Sequence, residues 1–143
     1  MQLKPEYFMR KALNQAEYAF AEEEVPIGAV VVADGEIIGK GYNQVEKLSD
    51  PTAHAEMLAI TAATSYLGSK YLNECTLYIT VEPCVMCYGA IKNAGIKHVI
   101  VGCLEPKHGF SKSIIGDKKI ELITGICEDE SVLLLQSFFE KRR

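Results

Sequence analysis

Two short stretches constrain this chain more than the rest of it does: "DPTAHAEM", Asp50 to Met57, and "EPCVMC", Glu82 to Cys87. The first opens an Ala-rich segment without Gly or Pro, which predicts a helix from about His54 to Tyr66. The second ends a β-rich run, "CTLYITV", and its proline opens a predicted helix, "CVMCYGAIKNAG", closed by Gly95. If the two stretches build one site, the fold must bring two helix starts together across an intervening strand.

The remaining punctuation supplies a frame for that convergence. Apolar groups at Phe8/Met9, Ala12/Leu13, Ala16 and Ala19/Phe20 recur at helical spacing and Pro5 suits a first turn, so residues 5–23 are predicted helical. "IGAVVVADGEIIGKGYN" carries two β-branched runs around Asp34-Gly35, a hairpin signal, and a loop then runs to Pro51. "KHVIVGC" and "KKIELIT" read as further strands, and "DESVLLLQSFFEKRR" as an amphipathic last helix with an acidic first turn. A hairpin followed by strands alternating with helices implies a mixed sheet with helices on both faces.

At 143 residues and 48% hydrophobic, the chain is expected to form one soluble domain spanning residues 1–143. Its apolar runs ("IGAVVVA", "VLLL") are too short to cross a membrane, and charges interrupt the first twenty residues, which argues against a signal peptide. Five cysteines, an odd number that includes a CxxC pair, point to a reducing, cytoplasmic setting. Net charge is −4, yet unevenly spread: six Lys/Arg face eleven Asp/Glu through Cys75, and nine face eight thereafter. Lys107, Lys112, Lys118, Lys119 and the closing Lys141-Arg142-Arg143 form a late basic group, ordinarily a solvated surface and otherwise a place for phosphates.

A lone CxxC is ambiguous among a redox pair, half of a structural zinc site and two core cysteines. No thioredoxin-like pattern surrounds Cys84 and Cys87, and no second pair exists, since Cys75, Cys103 and Cys127 stand alone as expected small core residues. His54 beside Glu56 offers a different completion. A His/Cys/Cys set leaves one tetrahedral zinc position open, the mark of a catalytic site. Glu56 lies two residues from His54, so both reach one pocket only if His54 sits at the very start of its helix.

"HAE" with "PCVMC" matches the H-x-E…P-C-x-x-C signature of zinc nucleobase deaminases. Across nearly the whole chain, "VPIGAVVV", "GYN", "DPTAHAE", "CTLYITVEPCVMCYGAI" and "SFFEKRR" make the sequence resemble the TadA-type tRNA adenosine deaminases. The resemblance implies a three-layer α/β/α cytidine deaminase-like fold with a five-stranded mixed sheet. It implies one Zn2+ per subunit on His54, Cys84 and Cys87, with Glu56 moving protons. It implies contacts to the anticodon stem-loop of tRNA from Asn43, Ala55, Glu105, Lys107, Arg142 and Arg143, and a homodimer with no membrane partner. The implied reaction is hydrolytic conversion of adenosine to inosine at the wobble position of tRNA, position 34. Deamination of a free guanine or cytidine by the same zinc chemistry is the alternative. Leu104-Glu105, where the family usually has Asp, and a short segment before the last strand depart from the pattern. Phe138 and Phe139 read as core residues of the last helix before they read as base-stacking groups, and His108 as a solvated loop residue near the pocket mouth.

Overall fold

The computed structural model describes residues 3–112 and 120–142. Its first helix, α1 (Pro5–Ala21), places proline in the first turn and buries Phe8, Met9, Ala12, Leu13, Ala16 and Ala19. The stripe predicted from the sequence is the buried one. Strands β1 (Gly28–Ala33) and β2 (Glu36–Tyr42) follow as an antiparallel hairpin. Asp34 and Gly35 both take positive φ, 51° and 75°, as a two-residue turn matched to strand twist requires.

A short helix, α2 (Val45–Leu48), interrupts what reads in the sequence as loop. Then come α3 (Ala55–Leu67), β3 (Thr76–Val81), α4 (Val85–Asn93) and β4 (His98–Cys103). A 3-10 turn at Phe110–Lys112, β5 (Glu121–Thr124) and α5 (Glu128–Glu140) complete the described chain.

The five strands form one mixed sheet in the order β2-β1-β3-β4-β5. Pairs β2–β1 and β1–β3 are antiparallel; β3–β4 and β4–β5 are parallel. Alternation along the strands separates two cores. Ala29, Val31, Leu77, Ile79, Val99 and Val101 pack under α3 and α4, while Val30, Val32, Tyr78 and Ile100 pack under α1. α5 lies beside α1, its Phe138 ring 6.2 Å from that of Phe20. The result is the three-layer α/β/α arrangement expected from the sequence.

Two glycines set how closely α3 approaches the sheet. A Cβ on Gly41 would lie 2.4 Å from the Ala55 carbonyl oxygen, and one on Gly39 would lie 2.5 Å from that of Ala59. Facing them, Ala55, Ala59 and Ala63 repeat every fourth residue, so a smooth helix face rests directly on backbone. This contact fixes where α3 begins.

Candidate metal centre and its cavity

Register brings the chemistry to one edge of the sheet. Gly28, which opens β1, pairs with Tyr42, which closes β2. β3 runs antiparallel to β1, and β4 parallel to β3, so Val81 and Cys103 end at that same edge. The carboxyl ends of parallel strands are where open α/β sheets place their sites. The turn after β3 delivers Cys84 there, and α3 starts there.

His54 and Cys84 are each the N-cap residue of a helix, with extended backbone (φ −77°, ψ 155° and φ −76°, ψ 177°). Both helices therefore aim their free N–H groups at one place. His54 Nδ1 lies 3.7 Å from Cys84 Sγ and 3.4 Å from Cys87 Sγ, and all three ligand atoms fall within 4.8 Å of one another. A tetrahedral zinc with bonds of about 2.3 Å to sulfur and about 2.1 Å to nitrogen separates S and N ligands by about 3.6 Å. The observed spacings straddle that value, so the donor set fits zinc in kind and in geometry.

The electrostatics agree. The Cys87 thiol and the His54 ring beside it pull the Cys84 pKa down to about 3. Hydrogen bonding to Cys84 and burial push Cys87 up, so in the metal-free site the pair shares one negative charge on Cys84. That thiolate also raises His54 above its usual range. Metal binding must displace the Cys87 proton and competes with protonation of His54.

Glu56, in the first turn of α3, is 3% exposed, and burial raises its carboxyl to about 7. Because His54 is the N-cap rather than a helical residue, Glu56 faces the same cavity as the metal ligands two positions before it. The cavity measures about 620 Å³ and is bounded by His54, Glu56 and Cys84 at the metal, Asn43 and Val45 beside it, and Phe138, Phe139 and Arg142 of the last helix. Asn43 is 8% exposed; its Nδ2 donates to the Val25 carbonyl at 3.4 Å, while its buried Oδ1 has no partner among the described residues. Asn43 lines the cavity, so a small turn of its amide would bring this unsatisfied acceptor to a substrate N–H or O–H.

The other candidate residues separate. Ala55 is fully buried and lines the cavity where α3 begins, and Glu105 and His108 line it from the loop after β4. Lys107 is exposed on that loop and does not line the cavity, whereas Glu105 and His108 do. Arg142 reaches the rim, its guanidinium 3.5 Å from the centre of the Phe138 ring and Nη2 donating to the Glu23 carbonyl at 3.3 Å. Arg143, Lys118, Lys119, residues 113–117 and the side chain of Lys112 lie outside the described residues. Phe138 is core, as expected, but Phe139 is half exposed, because successive helical residues point about 100° apart and only one can face the sheet. Cys75 and Cys103 are buried; Cys127 is only half-buried, at a left-handed N-cap position.

Two buried carboxylates escaped the sequence reading. Glu24, 1% exposed, accepts the backbone N–H groups of Glu46 and Lys47 and pins α2 to the cavity wall. Glu82, 4% exposed, does the same for the loop after β4. For Glu82 a signal existed, an acid ending an apolar strand; for Glu24, within "EEE", none did.

Comparison with known proteins places this geometry. The profile of the cytidine and deoxycytidylate deaminase zinc-binding region matches residues 3–103, and the chain belongs to that family. Within it, the chain is 44% identical over 144 aligned residues to a tRNA-specific adenosine deaminase of Aquifex aeolicus, covering 96% of this chain and 95% of the relative. A tRNA-specific adenosine deaminase of Streptococcus pyogenes is 41% identical over the same share of this chain. Among solved structures, one from work on A-to-I editing by tRNA:A34 deaminases superposes with a TM-score of 0.85 at 38% identity, covering 90% of this chain and 99% of the other. The guanine deaminase of Bacillus subtilis is 43% identical but covers 71% of this chain and 66% of its own, with a TM-score of 0.69. The zinc requirement of the family and the His54, Cys84, Cys87 cluster agree.

Proposed function

We propose that this chain is a tRNA adenosine deaminase that converts the wobble adenosine, position 34, to inosine with release of ammonia. The observation that carries the reading is the buried carboxyl of Glu56 in the wall of a cavity that reaches the His54, Cys84 and Cys87 cluster through His54 and Cys84. The choice of tRNA over a free base rests on identity along the whole chain: 44% to a relative named a tRNA-specific adenosine deaminase over 96% of this chain, against 26% to a guanine deaminase structure over the same share.

When bound, zinc supplies Lewis-acid activation of the attacking water. Glu56 takes a proton as water adds to C6 and passes it to ring N1, then moves the second to the departing amino group. A carboxyl held near 7 is suited to both directions, since it gives and takes protons at comparable cost around neutral pH. Asn43 offers its free Oδ1 to a donor on the nucleoside, and the apolar walls exclude water from the reacting base. Arg142 at the rim, with Lys107 on the exposed loop, holds phosphates of the splayed anticodon loop, and Arg143, which follows Arg142 in the chain, adds charge to the same task.

The finer parts of the reading are a single domain over residues 1–143, cytoplasmic, working as a homodimer. No helix among the described residues is long and apolar enough to cross a membrane. Val85 and Met86, 47% and 37% exposed at the start of α4, offer an apolar surface beside the metal centre for the second subunit.

The test is to incubate zinc-loaded protein with an anticodon stem-loop carrying adenosine at the wobble position, with guanine, cytidine and adenosine in parallel. Mass spectrometry should find inosine in the RNA. Turnover confined to a free base or nucleoside would replace the tRNA reading with the alternative.

A further inference from the structure

The loop that faces the cavity after β4 is wrapped around a single carboxylate. Glu82 Oε1 accepts the Glu105 N–H at 3.1 Å and Oε2 accepts the Ser111 N–H at 2.9 Å, one bond at each end of the loop. Between them, the Gly109 N–H closes onto the Glu105 carbonyl at 3.2 Å, and the Glu105 side chain accepts the His108 N–H. A Cβ on Gly109 would lie 2.1 Å from Glu82 Oε1, so the loop backbone passes directly against the carboxylate and only glycine fits.

The same residue is tied to the metal turn. The Glu82 N–H donates to the Cys103 carbonyl at 2.8 Å, and the next residue, Pro83, accepts the Phe110 N–H at 2.9 Å. Cys84 forms an isolated bridge with Gly109, and Phe110 stacks on Tyr88 of α4 at 4.5 Å. The loop ends would otherwise leave two N–H groups unpaired beside a buried acid, an arrangement that folded proteins avoid.

We infer that Glu82 is a positioning residue for substrate: its carboxylate holds the Glu105–Ser111 loop against the metal-bearing turn, so that Glu105 and His108 present a fixed wall to the bound molecule. Glu82 is not one of the His54, Cys84 and Cys87 ligand set, and although it borders the cavity both of its carboxylate oxygens are taken by loop N–H groups. Its loss therefore loosens the substrate wall and leaves the metal in place. This deepens the proposed reading and rests on it only for the choice of substrate.

The experiment compares zinc-loaded wild type, Glu82→Gln and Gly109→Ala. Glutamine keeps one acceptor and turns an NH2 donor toward the other N–H; alanine at 109 drives a methyl into the carboxylate with Glu82 intact. Both variants should hold one zinc per chain. Hydrogen exchange of the Glu105 and Ser111 amides should accelerate at least about tenfold, with the Ile79 amide in β3 unchanged. With the wobble stem-loop, KM should rise about tenfold while kcat stays within about threefold. Should Glu82→Gln fail to fold, Gly109→Ala carries the test alone. Unchanged loop exchange, loss of zinc, or a fall in kcat at constant KM would overturn the proposal. If wild type leaves the stem-loop untouched, the tRNA reading fails, and the exchange arm still decides the clamp.

Discussion

His54 Nδ1 lies 3.4 Å from Cys87 Sγ although 33 residues separate them. Helix α3 and strand β3 intervene, and the contact exists because α3 and α4 begin at the same edge of the sheet. Gly39 and Gly41 seat one helix start on β2, and the turn after β3 delivers the other. The site is thus a property of register, and its chemistry can be perturbed from the scaffold as well as from the ligands.

Removal of metal should destabilise the fold. At zinc concentrations a hundredfold above Kd, binding contributes about 2.7 kcal/mol, which chelation removes and added zinc restores. Because Cys87 holds its proton in the metal-free site and His54 is raised above its usual range, binding should release protons near neutral pH and weaken as pH falls. Calorimetry in buffers of different ionisation enthalpy measures the release; a value of zero would contradict the assigned ligands.

Glu56→Gln should abolish turnover, by at least about a thousandfold, while zinc content stays at one per chain. Residual activity near wild type would remove Glu56 from the proton path.

The same variant reports the cost of burying the acid, in metal-free protein. Between pH 4.5 and about 7 the folded chain keeps a proton on Glu56 that the unfolded chain releases. Stability contributed by this group therefore falls as pH rises through that window. Metal-free Glu56→Gln should outlast metal-free wild type above pH 7 by on the order of 3 kcal/mol, and the gap should close below pH 4.5. Thermal melts across this range check it; parallel pH profiles would show that Glu56 titrates normally.

Gly41→Ala should loosen the metal site without touching it. The added Cβ, 2.4 Å from the Ala55 carbonyl, must push the start of α3 off the sheet and carry His54 with it. A loss of about 1–3 kcal/mol, together with weaker zinc binding, is expected from such overpacking. A competition titration with a chromogenic chelator separates this from loss of stability alone.

Arg142→Ala should weaken binding of the stem-loop and reduce the slope of log K against log salt by about one contact, because its guanidinium is held at the cavity rim by the Phe138 ring and two backbone carbonyls with its charge available to a phosphate. Binding of free guanine should be unaffected by salt. An unchanged slope would place the phosphates elsewhere.

Much of this was legible in the chain because it is written in local signals. Helix spacing in residues 5–21, the Asp34-Gly35 turn and the proline and glycine around α4 act over a few residues each. The metal ligands were legible because their residue types and spacing are chemically restrictive. Position was harder. Lys107 and Glu105 are two residues apart, yet only Glu105 lines the cavity, and Phe139 is exposed beside a buried Phe138. Which of two neighbours faces inward depends on helix phase and loop path, which composition does not record.

"EEE" at 22–24 shows the division most clearly. Sequence determines that three carboxylates follow α1, and that His54, Glu56, Cys84 and Cys87 are available for zinc and proton transfer. Tertiary structure decides that Glu22 stays at the surface with Tyr42 and Lys47, that Glu23 takes a left-handed φ of 63°, and that Glu24 is buried against two backbone N–H groups of α2. It likewise decides that Glu82 clamps a loop and that burial raises the Glu56 carboxyl to about 7. The physical reason is the same in each case: a carboxylate's role is set by how much water it loses and which donors replace it, and both are fixed by partners distant in the chain.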